Sequence, residues 1–275
     1  MTGTWFSGIF PGSEKPAEID TTVAHPARVY DYWLGGKTNF TQDQVAARAA
    51  MRAAPHVAEG VRGNRAFLAR AVRYLVGEAG VRQFLDIGTG IPAADNTHEV
   101  AQAMARECRV VYVDNDPIVL SHARALLISA TKGTTAYLDE DLRNVAELIR
   151  SASGTLDLTR PVAVMLIGIL HCIPDEDDPA GIIGQLMDAV PSGSYLAISH
   201  PANDINSPGV RRLASRLNEL MPMKLRFRAR AEVARFFDGL ELVEPGLVRI
   251  PKWRPDSDSD LANPATVWGG VARKN

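Results

Sequence analysis

Cysteine is scarce in this sequence of 275 residues, in which Cys108 and Cys172 are the two present. They lie in different apolar segments and show no CxxC spacing, so we expect buried free thiols rather than a disulfide framework. A zinc site needs more ligands at closer spacing than these two cysteines offer. We therefore predict that the functional site holds no metal.

Long apolar runs are also missing from the chain. No stretch approaches the roughly 20 apolar residues that a membrane-spanning helix needs. The segment Met1–Pro11 has neither the basic start nor the apolar centre of a signal peptide. We therefore expect a cytoplasmic protein without a membrane partner.

Neither sign of charge predominates. The 30 Lys and Arg residues nearly balance the 32 Asp and Glu residues, which leaves a formal net charge of −2. Such a balance gives no general attraction to nucleic acid or to an acidic membrane surface. A local basic run between Arg211 and Arg230 is expected to be solvated helix and loop surface. We therefore predict no nucleic-acid partner.

The sequence does contain a regular alternation of short apolar runs and helical segments from residue 83 onward. Strands are predicted at 83–90, 109–115, 134–138, 161–168 and 195–199, with helices at 97–107, 118–132, 145–150 and 181–190. This alternation predicts an α/β fold with parallel strands and right-handed crossovers. Two late apolar segments, 240–248 and 265–273, predict an antiparallel addition to the sheet.

The first 80 residues have a different character. Residues 1–20 are rich in Gly, Pro and Ser, so they are expected to form a loose arm. Helical patterns follow, first broken at Pro26 and at Gly35-Gly36, then continuous from about 57 to 78. We therefore divide the chain into an arm (1–20), a helical cap (21–80) and a core domain (81–275).

Acidic residues follow three successive strands of the predicted sheet. Asp86 starts the segment Asp-Ile-Gly-Thr-Gly, Asp114 ends the second strand, and Asp139–Asp141 follow the third. Ligands of open α/β sheets bind outside the carboxyl ends of the strands, so these carboxylates are expected to surround one crevice. Each one alone could be a helix cap or a turn residue, but the ordered set favours a shared site.

A dinucleotide site is one alternative for this crevice. The segment 88–93 has the pattern GxGxxA, and Asp114 could bind a ribose. Two features oppose a pyrophosphate, however. The carboxylate of Asp86 would repel it, and Pro92 with the predicted cap at Asn96 places the helix start beyond the glycine turn. A nicotinamide-dependent oxidoreductase is therefore the less favoured interpretation.

S-adenosylmethionine fits the same residues better, because it carries an ammonium, a sulfonium, a ribose diol and an adenine but no phosphate. Glycines at 88 and 90 allow close backbone approach, and Asp86 can bind the ammonium. Asp114 can accept both ribose hydroxyls, and Asp141 can accept from the adenine amine. The expected cofactor-binding residues are Asp86, Gly88, Thr89, Gly90, Asp114, Asn115, Asp141, Leu142 and Gly168.

Four motifs resemble the successive motifs of class I S-adenosylmethionine-dependent methyltransferases. They are Phe84–Gly90, Tyr112–Asp116, Asp139–Asp141 and Leu170–Pro174. The sequence departs from many members at Pro92, where they carry a third glycine. The resemblance implies S-adenosyl-L-methionine as the cofactor.

The chain as a whole is similar to one actinobacterial family of S-adenosyl methyltransferases without an established substrate, over roughly residues 20–273. The segments that carry this similarity are Ala27–Gly36, Asn39-Phe40, Asn64–Leu68, Gln83–Pro92 and Asn96–Val100. The resemblance implies a Rossmann-like, seven-stranded, mostly parallel sheet with an antiparallel last strand. It also implies an N-terminal helical cap over the cofactor.

Two histidines are candidates for a catalytic base, because methyl transfer to a hydroxyl or a protonated amine also requires loss of a proton. His171 follows the fourth predicted strand and His200 follows the fifth. Both are expected at strand tips that face the crevice. Either residue could instead be a capping or packing histidine.

Aromatic residues cluster in the predicted cap around Gly35-Gly36. Aromatic faces can stabilise a sulfonium or a cationic substrate, and the two glycines could act as the hinge of a lid. The same rings could simply pack the cap onto the sheet, and Arg28 could bind a carboxylate or form a surface ion pair. The candidate substrate or lid residues are Arg28, Tyr32, Trp33, Asn39 and Phe40.

The favoured function is S-adenosylmethionine-dependent methyl transfer to a small-molecule acceptor, because a cap that encloses the crevice favours a small substrate. The alternative of another class is a non-catalytic S-adenosylmethionine-binding module or sensor, which would need the acidic residues but no base. The sequence identifies neither the acceptor atom nor the oligomeric state.

Overall fold

The computed structural model describes residues 20–127 and 134–275. The predicted arm lies outside these residues except for its last position, and so does the end of the helix predicted at 118–132. The strands are β1 (Gln83–Ile87), β2 (Arg109–Asp114), β3 (Thr134–Asp139), β4 (Ala163–Ile167), β5 (Tyr195–Pro201), β6 (Glu241–Leu242), β7 (Val248–Arg249) and β8 (Val267–Arg273). The helices are α1 (Pro26–Leu34), α2 (Thr41–Ala53), α3 (Val57–Gly77), α4 (Thr97–Met104), α5 (Pro117–Leu127), α6 (Val145–Ala152), α7 (Pro179–Asp188), α8 (Ser207–Leu220), α9 (Arg230–Ala234) and α10 (Asp258–Leu261).

The strands form one mixed sheet in the order β3-β2-β1-β4-β5-β8-β6, and β7 pairs separately with β8. The first five strands are parallel to one another, whereas β8 runs antiparallel to β5, β6 and β7. The predicted Rossmann-like sheet with an antiparallel last strand is thus confirmed. The late segment 240–248 contributes only two short strands rather than one continuous strand.

Side chains along the parallel strands alternate between the two faces of the sheet. Leu85 and Ile87 of β1 pack into the core that α6 and α7 cover, whereas Phe84 packs under α3 and α4. Because both faces are covered, β4 is a continuous apolar run that is buried over most of its length. The alternation decides which residues at the strand ends can reach a given cavity.

Helix α4 begins at Thr97, well beyond the glycine turn that follows β1. The backbone N–H of Asn96 donates to Glu99 Oε2 over 2.8 Å, which stabilises the start of the helix. The predicted helix start is therefore confirmed. A dinucleotide-binding turn would instead have the helix start within the glycine segment.

Helices α1, α2 and α8 form a separate small core, with Val29, Ala46 and Leu213 buried between them. Helix α8 falls in the basic run that was predicted to be solvated helix and loop surface, and the prediction missed that one face of this helix is buried. Helix α3 packs directly against the sheet. The division of the chain at residues 20 and 80 remains a prediction.

The Gly35-Gly36 pair ends α1. Gly35 has φ +83° and its N–H closes the last helical turn. A Cβ on Gly36 would lie only 2.0 Å from Asp31 Oδ1. Asp31 in turn accepts hydrogen bonds from the Thr38 N–H and from Asn39 Nδ2. The glycines therefore form a packed helix terminus, which gives no support to a hinge.

No helix in the described part of the chain combines the length and the apolar character needed to cross a bilayer.

Candidate functional site

A cavity of about 120 Å³ lies at the carboxyl ends of the parallel strands. It lies near the point between β1 and β4 where the direction of strand addition changes: β2 and β3 lie on one side of this point, and β4 and β5 lie on the other. We call it the strand-end cavity. Residues of α1 and of the middle of α3 also line it. Its walls include the predicted residues Asp86, Gly88, Thr89, Gly90, Asp114, Asn115 and Gly168.

Asp86 lies in the wall of this cavity and is 4% exposed. One carboxylate oxygen accepts from Thr97 Oγ1 over 2.6 Å. Burial raises the pKa of Asp86 to about 6, although the hydrogen bond from Thr97 opposes this rise. Within the described residues Asp86 forms no ion pair, so a bound cation would compensate for its burial.

The glycine turn brings backbone N–H groups to Asp114. The N–H of Gly90 donates to Asp114 Oδ2 over 2.8 Å, and the N–H of Asp116 donates to Oδ1 over 3.0 Å. Gly88 has φ +72°, and a Cβ there would lie 2.5 Å from the side chain of Ile169. The turn therefore requires glycine at this position. Burial raises the pKa of Asp114 above its ordinary value, and these two backbone hydrogen bonds offset only part of the rise.

Asp141 and Leu142 do not line the strand-end cavity. Asp141 accepts from Asn115 Nδ2 over 3.0 Å and pairs with Arg143 over 2.9 Å. Leu142 is buried in the core under α6. In this arrangement Asn115 reaches the cavity and Asp141 fixes its side chain. An adenine contact by Asp141 and Leu142 therefore remains a prediction.

The cap residues that line the cavity lie outside the predicted site residues, and four of them have polar side chains: His25, Tyr30, Asn64 and Arg65. His25 caps α1, and its Nδ1 lies 2.7 Å from Asp116 Oδ2. Arg65 donates to the carbonyl oxygens of Ala94 and Asp95, which holds the loop beyond the glycine turn. The sequence motif that begins at Asn64 contains two of these residues, Asn64 and Arg65, but it does not indicate what their side chains contact.

A second, larger cavity of about 460 Å³ lies between α1, α3 and α8. We call it the cap cavity. Most of its wall is apolar, including Val29, Trp33 and Leu213. Its polar lining residues include Arg212 and Arg249, and no Asp or Glu of the described residues lines it. This volume lies within the range of cavities that hold small molecules.

The two cavities share part of their walls. Pro26, Tyr30, Asn64, Gly168 and His171 line both of them. Gly168 directly follows β4 and has φ +70°. A molecule in the cap cavity would therefore meet a molecule in the strand-end cavity beside the end of β4.

His171 lies at this boundary, on a short helical turn formed by Leu170–Cys172. Its carbonyl oxygen accepts from the Arg226 N–H over 2.8 Å. Its Nδ1 is buried and has no hydrogen-bond partner among the described residues. Burial, and then the charge of Arg228, lower the pKa of His171 to about 4. The ring is therefore neutral at physiological pH.

The prediction that His200 faces the crevice is wrong. His200 is fully buried and lines neither cavity. Its Nδ1 donates to Pro201 O over 2.9 Å, and its Nε2 lies 3.1 Å from Arg228 Nη1. Alternation along β5 turns His200 to the side of Phe236 and leaves Ser199 to line the cap cavity.

Arg228 holds the turn that carries His171. Its guanidinium donates to Leu170 O and Ile173 O, both over 2.8 Å, and pairs with Asp175 over 2.6 Å. The side chain is only 2% exposed. The predicted basic run therefore includes a buried positioning residue, which a count of surface charges does not reveal.

Of the predicted substrate or lid residues, Trp33 alone lines a described cavity, the cap cavity. Arg28 is 4% exposed, and its Nε lies 3.3 Å from Asp43 Oδ1. This pair is buried, whereas the alternative raised above was a surface ion pair. The Arg28 guanidinium also stacks over the ring of Phe40.

Tyr32 and Asn39 are also engaged within the cap. The hydroxyl of Tyr32 accepts from Arg48 Nε over 3.0 Å, and Asn39 Nδ2 donates to Asp31 over 2.7 Å. Along with Arg28 and Phe40, these residues stabilise the cap in this structure. Their roles at a substrate remain predictions.

No group of three or more metal-ligating side chains occurs within residues 20–127 and 134–275.

Comparison with known proteins gives a family match over nearly the whole chain. The sequence model of a family described as S-adenosyl methyltransferase matches residues 12–275. The crystal structure of a DUF574 family protein from Streptomyces avermitilis is 47% identical, with a TM-score of 0.89 over 94% of this chain and 100% of the other.

Two further structures are similar to different degrees. A candidate methyltransferase from Thermobifida fusca is 38% identical, with a TM-score of 0.88 over 96% of this chain and 100% of the other. Magnesium protoporphyrin IX methyltransferase from Synechocystis, solved with bound S-adenosylhomocysteine, is 14% identical, with a TM-score of 0.53 over 90% and 93%. This last similarity concerns the fold alone. Curated proteins gave no match.

Proposed function

We propose, on the premise that this chain belongs to the S-adenosyl methyltransferase family, that it methylates a small molecule held in the cap cavity. The family predicted from the motifs is confirmed. The chain is accordingly an S-adenosylmethionine-dependent methyltransferase. The identity of the acceptor and the roles of individual residues are the proposed part.

The groups in the walls of the strand-end cavity match the polar groups of S-adenosylmethionine, although its volume of about 120 Å³ is smaller than that of most ligand cavities. Asp86 is a buried carboxylate without an ion-pair partner in the described chain, which suits the ammonium of the amino acid end. Asp114 is fixed by two backbone N–H groups and retains lone pairs for the ribose hydroxyls. Gly88 and Gly90 allow the backbone to approach closely.

The boundary between the two cavities is the observation that carries the proposal. Bound S-adenosylmethionine supplies an electrophilic methyl group to a nucleophile aligned with it. Gly168 and His171 line both cavities, so an acceptor in the cap cavity can lie beside the donor site. Placing the two reactants close and aligned supplies much of the rate enhancement in such a displacement.

His171 is the proposed catalytic residue at this boundary. Its ring lines both cavities and is neutral, so it can accept a proton from the acceptor. Because the pKa of His171 is low, it is a weak base. It is therefore suited to accept a proton that becomes acidic only as the new bond to carbon forms.

The test combines cofactor binding with transfer of a labelled methyl group. Calorimetry should detect S-adenosylhomocysteine binding, and NAD should bind much more weakly. Incubation with methyl-labelled S-adenosylmethionine and a fractionated cell extract should place label in the small-molecule fraction. His171→Ala should lower the rate of transfer with little change in S-adenosylhomocysteine affinity. Cofactor binding without transfer to any fraction would favour the sensor alternative, and label confined to protein or RNA would contradict a small acceptor.

A further inference from the structure

The charged side chains in the wall of the cap cavity carry one sign. Arg212 of α8 and Arg249 of β7 line it, and no Asp or Glu of the described residues does. His56, an exposed residue that also lines the cavity, already pairs with Glu59 over 3.1 Å. A ligand in this cavity therefore meets two guanidinium groups and no carboxylate.

The guanidinium of Arg249 itself lies at the wall. Its Nε and Nη2 donate to Ala265 O over 3.3 Å and 2.9 Å. Ala265 is flanked by Pro264 and Thr266, which both line the cavity. These hydrogen bonds therefore hold the charged end of the side chain, and not only its stem, beside the cavity.

Arg249 retains donors for a ligand. Among the described residues no group accepts from Nη1, and Nη1 of this half-buried residue is not one of the fully covered polar atoms that lack a partner. Nη1 therefore has surface that a ligand can reach. Its hydrogens and the second hydrogen of Nη2 form the end-on edge of the guanidinium, which matches the two oxygens of a carboxylate.

The buried arginines elsewhere in the chain have the counter-charge that Arg249 lacks. Arg28, Arg70 and Arg228 lie 3.3 Å, 3.5 Å and 2.6 Å from the carboxylate oxygen of an aspartate. Arg249 instead has a backbone carbonyl and forms no ion pair with a described residue. Because a charge removed from water without a partner costs free energy, an anionic ligand would stabilise this side chain.

The rest of the cap cavity restricts the ligand further. Its wall is mainly apolar, with Trp33 and Leu213 among the lining residues, which suits a hydrocarbon or aromatic body. Arg212 and Arg249 line the cap cavity alone, whereas His171 lies at the boundary with the strand-end cavity. An anion held by the arginines therefore lies away from the site of the methyl donor.

We infer that the acceptor is a largely apolar molecule with a carboxylate, which is bound by Arg249 and Arg212, and that it is methylated at a different atom. This inference rests on the proposed function, which places the acceptor in the cap cavity. The arginines bind and orient the acceptor and take no part in the proton transfer.

Three probes with the same apolar body test the inference: 4-phenylbutyric acid, 4-phenylbutanamide and 4-phenylbutylamine. Calorimetry measures their affinities with and without saturating S-adenosylhomocysteine. We expect the acid to bind about tenfold or more tightly than the amide, because hydrogen bonds between two charged groups are the stronger ones. The amine should bind most weakly, because no carboxylate of the described residues lines the cavity.

Substitution of the arginines identifies the source of this preference. Arg249→Gln should remove most of the advantage of the acid over the amide, and Arg249→Lys should retain part of it. Arg212→Gln should reduce it by about twofold, because Arg212 is exposed and its charge is screened. Arg211→Gln removes the same charge from an exposed neighbour outside the wall and should leave it unchanged.

The affinity for the amide separates a loss of charge from a loss of shape. Arg249 also holds the segment at Ala265, so a collapse of the wall would weaken the amide and the acid alike. A loss confined to the acid would show that the charge itself is recognised.

The labelled product from a cell extract gives a second readout. It should be retained by an anion-exchange resin at neutral pH and pass into organic solvent after acidification, because it keeps its carboxylate. A neutral product that releases labelled methanol in base would show that the carboxylate itself is methylated, which contradicts its position away from the donor.

The outcomes separate this inference from the proposed function. If S-adenosylhomocysteine binds and the acid has no advantage over the amide, the acceptor class is wrong while the cofactor site stands. Tighter binding of the amine, an advantage that survives Arg249→Gln, or no binding of the acid also overturns the inference. If S-adenosylhomocysteine does not bind, the proposed function fails, and the probes without cofactor still test the anion site.

Discussion

The Nδ1 atom of His25 lies 2.7 Å from Oδ2 of Asp116 and so joins the cap to the sheet at the rim of the strand-end cavity. His25 caps the start of α1, and Asp116 lies two residues beyond Asp114. Burial of Asp116 acts to raise its pKa, but the hydrogen bond and charge of His25 hold that pKa below its ordinary value. The pair therefore fixes the position of the cap over the proposed cofactor site.

Loss of this pair should weaken cofactor binding. We expect His25→Ala to raise the dissociation constant of S-adenosylhomocysteine about fivefold, because a hydrogen bond to a carboxylate contributes about 1 kcal/mol. Calorimetry checks the change. His122→Ala, which replaces an exposed histidine on α5, is the matched control and should bind normally. Equal affinities for His25→Ala and the parent protein would show that the contact does not support the site.

The raised pKa of Asp86 predicts that cofactor affinity depends on pH. An ammonium prefers the ionised carboxylate, so binding below about pH 6 must release the proton that Asp86 then holds. Affinity for S-adenosylhomocysteine should therefore fall as the pH drops through about 6. Calorimetry in buffers of different ionisation enthalpy measures the proton release. Asp86→Asn should bind more weakly and lose this pH dependence; a dependence unchanged in Asp86→Asn would assign it to another group.

Asp114 and Asp139 offer a matched comparison, since they lie opposite each other at the ends of β2 and β3. Asp114 lines the strand-end cavity, whereas Asp139 is exposed and does not. Asp114→Asn should weaken S-adenosylhomocysteine binding by about tenfold or more, because it removes a charged acceptor of hydrogen bonds. Asp139→Asn should change the affinity little. Similar losses in both variants would point to net charge rather than to a ribose contact.

Two buried histidines predict that the protein loses stability in acid. Burial lowers the pKa of His171 to about 4 and that of His200 to about 3, from an ordinary value of 6.5. Between these values and 6.5 the unfolded chain binds more protons, so the free energy of unfolding falls as the pH falls below 6.5. Urea denaturation from about pH 7 to about pH 5 should show a loss of about 2 kcal/mol from each histidine, which the raised pKa of Asp86 partly offsets.

The contribution of His200 to this loss can be isolated. His200→Asn should be less stable than the parent protein at neutral pH, because Arg228 loses the ring nitrogen that accepts from it. Its stability should nevertheless fall less steeply on acidification. His122→Asn should retain the parent slope, since His122 is exposed. If His200→Asn also retained that slope, the acid sensitivity would arise from other groups.

Alanine substitutions at Gly88 and Gly80 distinguish the cost of backbone strain from the cost of steric contact. Both have positive φ, but a Cβ on Gly88 would lie 2.5 Å from Ile169, whereas a Cβ on Gly80 meets nothing within 4 Å. Gly80→Ala should cost about 1 kcal/mol of unfolding free energy from strain alone. Gly88→Ala should cost about 2 kcal/mol or more and weaken S-adenosylhomocysteine binding. Equal costs in urea denaturation would show that Ile169 moves aside without penalty.

Local patterns in the sequence predicted much of the fold and of the strand-end cavity. The alternation of apolar runs and amphipathic helices gave the five parallel strands, and Pro92 with Asn96 gave the late start of α4. Asp86 and Asp114 line one cavity because parallel strands end at the same edge of a sheet. Asp141 lies outside that cavity, because its carboxylate is held by Asn115 and Arg143.

The cap cavity depends on contacts between residues far apart in the chain, which periodicity does not encode. Helix α8 closes the cavity against α1 and α3 with an apolar face that includes Val210, Leu213 and Leu217; their spacing predicts an amphipathic helix but not the elements that it covers. The burial of Arg228 depends in the same way on carbonyl groups of a distant turn. Only the packed chain shows which of these side chains are covered.

Ser199 and His200 illustrate this division most directly. Residue spacing alone places both at the tip of β5 and requires that they point to opposite faces of the sheet. Which face carries the cavity follows from the packing of α3 and the cap on one side and of Phe236 on the other. The sequence by itself therefore determined the position of the strand end. Only the packing of helices from elsewhere in the chain decided that Ser199, and not His200, lines the cap cavity.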